Sequence, residues 1–340
     1  MFPQGEISLQ NTTFALVVSV ILPFYNAQLT LGKAIESVLS QSFTNFELIL
    51  VNNNSNDTSL KIARHFALKD PRIKVVAEGN QGVRYAMNRG LAQAENELIA
   101  RIDADDEWFE SKLEKQVNYL AKNPKVDVIA TQAKYGGIGE GLKQYVHWSN
   151  SVISEVEINN SIFIESPIIN PTVVFRKKLI TEHGNYSFGA NIPEDYEMFL
   201  RWHSNGVRMH KLPQELMQWN DLETRLTRTH KAYTNDAFNR IKCSYLAKFL
   251  KKRKSIWIWG AGRKTRRRAE TLNEFDIGIS GYIDIVKQKT SVAQCIYFKD
   301  ILLDEHNPII SFVANRGARD KVRDFLLNKG FIEMQDFIIA

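Results

Sequence analysis

The segment ELIARIDADDEW (Glu97–Trp108) places three aspartates within four positions, directly after a run of apolar residues. Such a run predicts a buried strand, and the aspartates mark the point where the strand leaves the core. Each added carboxylate raises the pKa of its neighbours unless a positive group or water lies among them. The segment therefore predicts a strand whose carboxyl end faces a cation, a helix terminus or open water.

Apolar segments on both sides of this strand alternate between the strand period and the helix period. Strand patterns occur in VVSVIL, FELILV, IKVV and ELIARI, and helical spacing separates them, for example at Leu31, Ala34, Ile35 and Val38. Further helices are predicted over Val83–Ala94 and Lys112–Asn123. This alternation predicts an α/β fold with a mainly parallel sheet flanked by helices on both faces.

The polar loops PFYN, NNNSND and DADD follow three of these strands. Ligands of parallel sheets collect beyond the carboxyl ends of the strands, so the three loops should share one cleft. Residues two apart in an extended segment point the same way, so Asp103 and Asp105 can converge on one Mg²⁺ or Mn²⁺ while Asp106 turns aside. The alternative is that Asp105 and Asp106 begin the next helix, at its positive end.

The pattern weakens beyond DVIAT. Tyr135–His147 contains several glycines and is predicted to be irregular, whereas Val152–Ile162 is predicted to be helical. A strand in TVVF, a helix starting near Pro193 and strands near Val207 and Leu216 complete this half of the chain.

Three segments taken in order resemble glycosyltransferase family 2, whose members have the GT-A fold. They are VSVILPFYNAQLTLGKAIESVLSQSFTNFELILVNNNSNDTSL, GNQGVRYAMNRGLAQAENELIARIDADDEW and PEDYEMFLRW, and the resemblance extends from about Val17 to His230. It implies an inverting transferase that moves a sugar from a nucleoside-diphosphate donor, expected to be a UDP-sugar, to a hydroxyl of a cell-envelope, glycan or lipid-linked acceptor. Mn²⁺ or Mg²⁺ would hold the diphosphate.

The resemblance also assigns site residues by position. For the nucleotide-sugar site these are Pro23, Tyr25, Asn26, Asn52, Asn53, Asn80, Gly82, Asn88, Arg101, Asp103 and Arg228. For the metal they are Asp103, Asp105 and His230. Asp195 occupies the place of the catalytic base, with Glu194 as its helper. The alternative for this pair is an ordinary helix start, with Pro193 followed by acidic residues in the first turn.

Two positions depart from the family pattern. The family usually has an Asp-Asp pair where this chain has Asn52 and Asn53, and it often has a histidine in the place of Asn170. An asparagine keeps a hydrogen-bond acceptor for a base N–H but removes charge and adds donors. Base recognition and plain turn chemistry are therefore both open for the Asn-Asn pair.

A second α/β pattern begins at WGAGRKTRRRAETL (Trp259–Leu272), where a strand reaches a glycine turn and a helix. Gly260 and Gly262 match two of the three glycines of the dinucleotide fingerprint, and Asp284 ends the next strand near the spacing of a ribose contact. The pattern predicts a smaller Rossmann-like domain that either binds a second nucleotide at these three residues or only packs and positions the acceptor. A non-catalytic nucleotide sensor is thus the alternative function.

The predicted organisation is an N-terminal extension (1–15), a GT-A domain (16–231), a linking helix (232–254) and a Rossmann-like domain (255–340). The 340 residues include 44% hydrophobic and 24% charged residues, typical of a globular protein. Phe14–Leu22 is too short to span a bilayer, and no basic residue precedes it, so neither a membrane helix nor a signal peptide is predicted. Only Cys243 and Cys295 occur, which favours a reducing, cytoplasmic location.

The formal net charge of +6 is unevenly distributed. A basic run without acidic residues comprises Lys248, Lys251, Lys252, Arg253, Lys254, Arg263, Lys264, Arg266, Arg267 and Arg268. It has three interpretations: a solvated helix face, a surface that contacts the anionic inner face of the cytoplasmic membrane, or a nucleic-acid patch. Few aromatic residues interrupt the run, so nucleic acid is not the predicted partner.

Overall fold

The computed structural model describes residues 16–189, 191–221, 231–251, 253, 255–286, 294–302 and 307–340. The described residues form an eight-stranded sheet and a separate five-stranded sheet. This arrangement confirms the predicted α/β fold class with a second, smaller Rossmann-like sheet. No helix within the described ranges is long and apolar enough to cross a membrane.

The first part of the chain forms four parallel strands with intervening helices. In chain order these are β1 (Val18–Phe24), α1 (Leu31–Leu39), β2 (Phe46–Asn52), α2 (Ser59–Ala67), β3 (Ile73–Ala77), α3 (Val83–Gln93) and β4 (Leu98–Arg101). The strands lie in the order β3-β2-β1-β4, and every pair among them is parallel. Every residue of β1 and β2 is buried, because helices cover both faces of the sheet.

The next part extends this sheet with antiparallel pairs. Its elements are β5 (Glu107–Trp108), α4 (Lys112–Lys122), β6 (Val128–Gly136), α5 (Glu140–Ser151), α6 (Glu155–Ser161), β7 (Val174–Arg176), α7 (Lys178–His183), α8 (Glu194–Ser204) and β8 (Met209–Asn220). The full order is β3-β2-β1-β4-β7-β6-β8-β5. Strand β7 runs antiparallel to β4 and β6, whereas β6 and β8 are parallel.

Two predictions for this part were wrong. The segment predicted to be irregular contains helix α5, which begins directly after Gly139 and packs the ring of Tyr145 near that of Trp219 on β8. The two strands predicted near Val207 and Leu216 are the single strand β8. Pro213 divides its sequence pattern, but this proline lies at a register shift in the β6–β8 pairing, where a residue without an N–H is tolerated.

The last part contains helix α9 (Asn235–Phe249) and a wholly parallel sheet. The remaining elements are β9 (Ser255–Trp259), α10 (Arg263–Glu270), β10 (Gly278–Asp284), β11 (Gln294–Tyr297), β12 (Ile309–Ser311), α11 (Arg316–Asn328) and β13 (Phe337–Ile339). Their strand order is β11-β10-β9-β12-β13. Helix α9 begins three residues later than predicted, because the Thr234 side chain accepts a hydrogen bond from the Ala237 N–H and caps it there.

Helix α9 joins the two sheets through a shared core. Its buried residues Cys243 and Leu246 belong to the same hydrophobic cluster as Trp202 on α8 and Ile258 on β9. The Tyr245 hydroxyl donates to Glu197 Oε1 on α8 at 2.6 Å. The linking helix is therefore packed against both halves of the chain.

Candidate functional site

The loops after β1 and β2 lie side by side at the carboxyl edge of the larger sheet. The Asn26 N–H donates to Ser55 Oγ at 3.1 Å, and Asn26 Oδ1 accepts from the Asn56 N–H at 2.9 Å. Asn26 adopts a left-handed backbone with φ of 48°, which asparagine tolerates better than most residues. Pro23 is buried within β1, whereas the Tyr25 side chain is 51% exposed above the edge. Tyr25 is thus the accessible ring of this loop.

The Asn52–Asn53 pair shapes the loops around it. Asn53 Nδ2 donates to the carbonyls of Glu78 (3.3 Å) and Asn80 (2.6 Å), and Asn53 Oδ1 accepts from the Gly82 N–H at 2.7 Å. A carboxylate could not donate in this way, so these contacts explain the amide at position 53. Asn52 Oδ1 accepts from the Ser55 N–H at 3.1 Å. These bonds correspond to the turn interpretation, and nucleotide contacts by Asn52, Asn53, Asn80 and Gly82 stay a prediction.

Asn88 on α3 holds a buried tyrosine in place. Its Nδ2 donates to the Tyr186 carbonyl at 2.9 Å, and its Oδ1 accepts from the Tyr186 N–H at 3.0 Å. Tyr186 is almost fully buried. The predicted donor-site residue Asn88 therefore contacts the main chain of Tyr186, whose ring lies beside Arg101.

Arg101, the last residue of β4, is the positive group among the aspartates. It is 4% exposed, and its Nε donates to Asp103 Oδ1 at 2.8 Å. Its guanidinium carbon lies 5.9 Å from the centre of the Tyr186 ring. Burial opposes the charge, but nearby anionic groups outweigh burial and raise the pKa of Arg101 well above its ordinary value. These groups include the carboxylates of Asp103, Glu194 and Asp195.

The three aspartates after β4 have different surroundings. Asp103 and Asp105 are half-buried, whereas Asp106 is fully buried and its Oδ1 accepts from the Asn220 N–H at 2.9 Å. The Asn220 side chain donates to the Asp105 carbonyl at 2.7 Å. Asp106 therefore anchors the loop to the end of β8, and Asp103 and Asp105 remain at the open edge.

The donor set at this edge suits a hard divalent cation. Asp103 and Asp105 offer carboxylate oxygens, the ligands that Mg²⁺ and Mn²⁺ prefer. Across the described ranges, no three His, Cys, Asp or Glu side chains are grouped so that they could hold a metal ion. The predicted third ligand His230 and the predicted donor contact Arg228 lie in 222–230, outside the described residues. Metal ligation by Asp103, Asp105 and His230 stays a prediction.

Glu194 and Asp195 begin helix α8 directly after Pro193. Glu194 is 5% exposed and accepts a hydrogen bond from the Tyr233 hydroxyl at 2.5 Å. Burial, and then the adjacent charge of Asp195, raise the pKa of Glu194 to about 7. Asp195 is partly exposed, its Oδ1 accepts from the Tyr196 N–H at 2.7 Å, and burial raises its pKa as well. The pair is therefore a helix start and also two interacting carboxyl groups at the cleft.

Three residues of this site escaped the sequence analysis: Tyr186, Asn220 and Tyr233. Tyr186 and Tyr233 contact or face charged groups that lie many positions away in the chain, and no local motif contains them. Asn220 follows an apolar strand pattern, as the asparagines after β2 do, and this was the one signal that could have indicated a role at the sheet edge.

The glycine turn after β9 is explained by contacts within the chain. Gly260 has φ of 100°, and a Cβ there would lie 3.2 Å from Thr265 Cγ2. Asp284 Oδ2 accepts from the Ala261 N–H at 2.8 Å, and Asp284 Oδ1 accepts from the Val286 N–H at 3.1 Å. Both carboxylate oxygens thus bind the main chain. A second nucleotide at Gly260, Gly262 and Asp284 stays a prediction.

Comparison with known proteins connects this geometry to a family. The model of Glycosyl transferase family 2 matches residues 19–184. The O-antigen biosynthesis glycosyltransferase WbnJ of Escherichia coli is 28% identical over 244 residues, which are 70% of this chain and 90% of that protein. Across six bacterial relatives the chain covers between 23% and 90% of the relative's own length.

Solved structures show a similar fold. A fragment of S. aureus TarS in complex with UDP-GlcNAc aligns with a TM-score of 0.55 at 19% identity, covering 76% of this chain and 71% of the fragment. A longer TarS structure aligns with a TM-score of 0.55 at 20% identity, covering 76% of this chain and 43% of that one. A mannosyltransferase from Pyrobaculum calidifontis, in complex with GDP-Man and Mn²⁺, aligns with a TM-score of 0.50 at 18% identity, covering 70% of this chain and 64% of that one.

We expect Glu194→Gln to stabilise the protein above neutral pH. The pKa of Glu194 is raised from 4.5 to about 7, because the folded protein prefers the neutral carboxyl group. This preference stabilises the folded state below pH 4.5, and the stabilisation is lost as the pH rises to about 7. Glutamine removes the charge and still accepts the Tyr233 hydrogen bond. At about 1.4 kcal/mol per pKa unit, the variant should gain about 3 kcal/mol at pH 8 and almost nothing at pH 4.5.

Urea unfolding of both proteins at several pH values measures this difference. Glu36→Gln, the same change at an exposed position of α1, is the control and should shift stability by less than about 0.5 kcal/mol at every pH. An equal difference between wild type and Glu194→Gln at pH 4.5 and pH 8 would contradict the assignment.

Proposed function

The chain is a glycosyltransferase of family 2 through residues 19–184, and we propose that it is an inverting, metal-dependent enzyme. In this proposal it moves a sugar from a nucleoside-diphosphate donor, with UDP as the nucleotide, to a hydroxyl of a cell-envelope glycan or lipid-linked acceptor. The observation that carries the proposal is Arg101, a buried guanidinium paired with Asp103 on the donor side and interacting with Asp195 on the acceptor side.

The comparisons support the choice of donor and acceptor class. WbnJ is named for O-antigen biosynthesis, and AmsE of Erwinia amylovora, 29% identical over 204 residues, is named for amylovoran biosynthesis. The TarS fragment with a similar fold binds UDP-GlcNAc. These relatives favour a nucleotide-sugar donor and a surface polysaccharide as the product.

Asp195 has the properties required of the general base. Attack by an acceptor hydroxyl on the anomeric carbon forms one C–O bond and breaks the bond to the diphosphate, and the hydroxyl proton must go to a nearby base. Asp195 is partly exposed at the cleft. Burial raises its pKa, and the charge of Arg101 opposes part of that rise. A carboxylate with a raised pKa is a stronger base than an ordinary aspartate, which suits the acceptance of the hydroxyl proton.

Glu194 assists by holding the base in place. Its side chain is buried and tied to Tyr233, so it is not positioned to meet an acceptor directly. With a pKa of about 7, Glu194 can become neutral when a second negative charge beside Asp195 is unfavourable. The proposed division of work is that Asp195 accepts the proton while Glu194 positions it and adjusts the local charge.

Asp103 and Asp105 would hold Mn²⁺ or Mg²⁺ at the donor side. Such an ion commonly binds one or two protein carboxylates, and substrate phosphates and water fill the rest of its coordination shell. When bound, the ion supplies positive charge to the diphosphate leaving group. The neighbour from Pyrobaculum calidifontis, solved with GDP-Man and Mn²⁺, supports divalent metal use. Arg101 keeps Asp103 oriented through its Nε.

The sensor alternative is less well supported. It requires nucleotide at Gly260, Gly262 and Asp284, but both oxygens of the Asp284 carboxylate bind the main chain of this turn and the following loop. Asp195 and Arg101 form a charged cleft that a sensor of this kind does not need.

We expect Asp195→Asn to lower turnover by at least about a hundredfold while donor binding is almost unchanged, because only the proton acceptor is removed. Release of nucleoside diphosphate in a screen of sugar nucleotides with Mn²⁺ measures turnover, and calorimetry measures donor affinity. Asp236→Asn changes an exposed aspartate in the first turn of α9 and serves as the matched control. Wild-type turnover by Asp195→Asn would exclude this residue as the base.

We expect Asp105→Ala to weaken donor binding with Mn²⁺ by at least about tenfold, because a metal ligand is lost. Binding in EDTA should stay the same, since the variant keeps every contact that does not involve the ion. Calorimetry with UDP in both conditions measures the effect, with Asp324→Ala on the exposed face of α11 as the control. Equal losses with and without Mn²⁺ would show that Asp105 acts on the fold and not on the metal.

We also propose that the chain is cytoplasmic and contacts an anionic membrane peripherally through the basic run. Arg263, Lys264 and Arg267 are exposed on α10. Each basic residue near anionic lipid contributes about 1 kcal/mol. We expect co-sedimentation with anionic vesicles at low salt and its loss when these three residues are changed to glutamine. Failure of the wild type to sediment with such vesicles would leave the solvated-face interpretation.

A further inference from the structure

The strand order of the smaller sheet reverses at one point, and open parallel sheets often bind ligands in the crevice that such a reversal forms. From β9 the chain proceeds to β10 and β11 on one side, and then returns to β12 and β13 on the other side. The strand order therefore reverses between β9 and β12, whose last residues Trp259 and Ser311 are paired. Ligands of open α/β sheets bind beyond the carboxyl ends of the strands at such a point.

Arg319 lies in the first turns of α11, which follows β12. It is 7% exposed and shares a buried stripe with Val322 and Leu326, at the spacing of one helix face. Val322 and Leu326 pack in the same hydrophobic cluster as Trp259, so this stripe faces the sheet. An arginine therefore occupies the position on the stripe that is nearest the crevice, where a core would ordinarily have an apolar residue.

The Arg319 guanidinium is not paired within the structure. It has no hydrogen-bond or ion-pair partner among the residues that the structure describes, and burial lowers its pKa. A largely buried charge that has no direct partner is unfavourable, so its place on an otherwise apolar stripe calls for an explanation. Ser311 Oγ, at the end of β12, is also buried without a hydrogen-bond partner in the described part of the chain.

Other positive side chains lie near Arg319. Arg316 Nη2 lies 3.8 Å from Glu165 Oε2, and Lys242 Nζ on α9 donates to the Ile164 carbonyl at 2.9 Å. Arg319 interacts electrostatically with Arg316, Lys242 and Glu165. Asp320 and Arg323 on α11 also interact with Arg319. Four cations thus accompany two carboxylates, and the excess positive charge lies beside the N-terminal end of α11.

We propose that this crevice is a binding site for a phosphate or diphosphate group, with Arg319 as its central contact and Arg316 and Lys242 beside it. An anion would pair the buried guanidinium, and the positive end of α11 would add to its attraction. Glu165 competes with the anion for the same cations. The site is formed by both halves of the chain and linking helix α9, and it is separate from the proposed donor site at Arg101 and Asp103.

Calorimetric titration of the full-length chain with inorganic pyrophosphate in EDTA tests this site. We expect saturable binding that Arg319→Leu weakens by at least about tenfold, since a charge-assisted contact is lost. Leucine suits the buried stripe, so the variant should fold. Arg316→Ala should weaken binding as well, and it changes a partly exposed residue. Lys321→Ala removes the same charge from the exposed face of α11 and should have no effect.

The Glu165→Gln variant distinguishes an anion-binding site from a cluster of charges that only stabilises the fold. If Glu165 competes with the ligand, this variant should bind pyrophosphate more tightly than the wild type. Comparing the affinities of UDP and pyrophosphate then identifies the ligand that carries the phosphate group. If UDP binds more tightly than pyrophosphate and this binding depends on Arg319, the ligand is a nucleotide; if the two bind equally, the site recognises the phosphate group alone. No saturable binding by the wild type, or equal binding by Arg319→Leu and Lys321→Ala, would overturn the proposal, and neither result bears on Asp195.

Discussion

The charge of Arg101 is the constraint on which the larger half of the site depends. Three aspartates follow the carboxyl end of β4, and Glu194 and Asp195 begin α8. Three of these five carboxylates interact with the Arg101 guanidinium. Carboxylates held close together in a partly buried cleft repel one another unless positive charge lies between them. Arg101 supplies that charge from within the fold, so the cleft can exist before any ligand enters it.

Several elements fix Arg101 in this position. The end of β4 sets its main chain, Asn88 holds Tyr186 beside it through two hydrogen bonds, and helix α8 presents Glu194 and Asp195 opposite. Tyr233 then holds Glu194. The arrangement separates two kinds of carboxylate: those that anchor the fold, such as Asp106, and those that remain at the open edge, such as Asp103. The carboxylates at the open edge are the ones that a ligand can reach.

The smaller half contains a second buried arginine in a contrasting environment. Arg101 is surrounded by carboxylates, whereas Arg319 lies among other cations, with Glu165 and Asp320 as the nearby carboxylates. The first arrangement has more carboxylates than cations, and the second retains an excess of positive charge. The charge excess of the first group therefore suits a cation, as proposed for the metal, and that of the second suits an anion.

The sequence by itself determined the α/β class, the parallel direction of the first strands and the placing of three polar loops on one edge, but not the order of the strands. These features depend on local periodicity and on turn residues, which are visible in short stretches. It missed helix α5, because glycines around Gly139 conceal a helix that is stabilised by packing against Trp219. Only the tertiary structure decided that Arg101 neutralises the aspartates, that Asn53 binds the main chain and that Tyr233 reaches Glu194. These contacts join residues far apart in the chain, and the burial that gives them their strength exists only once the sheets and helices have packed.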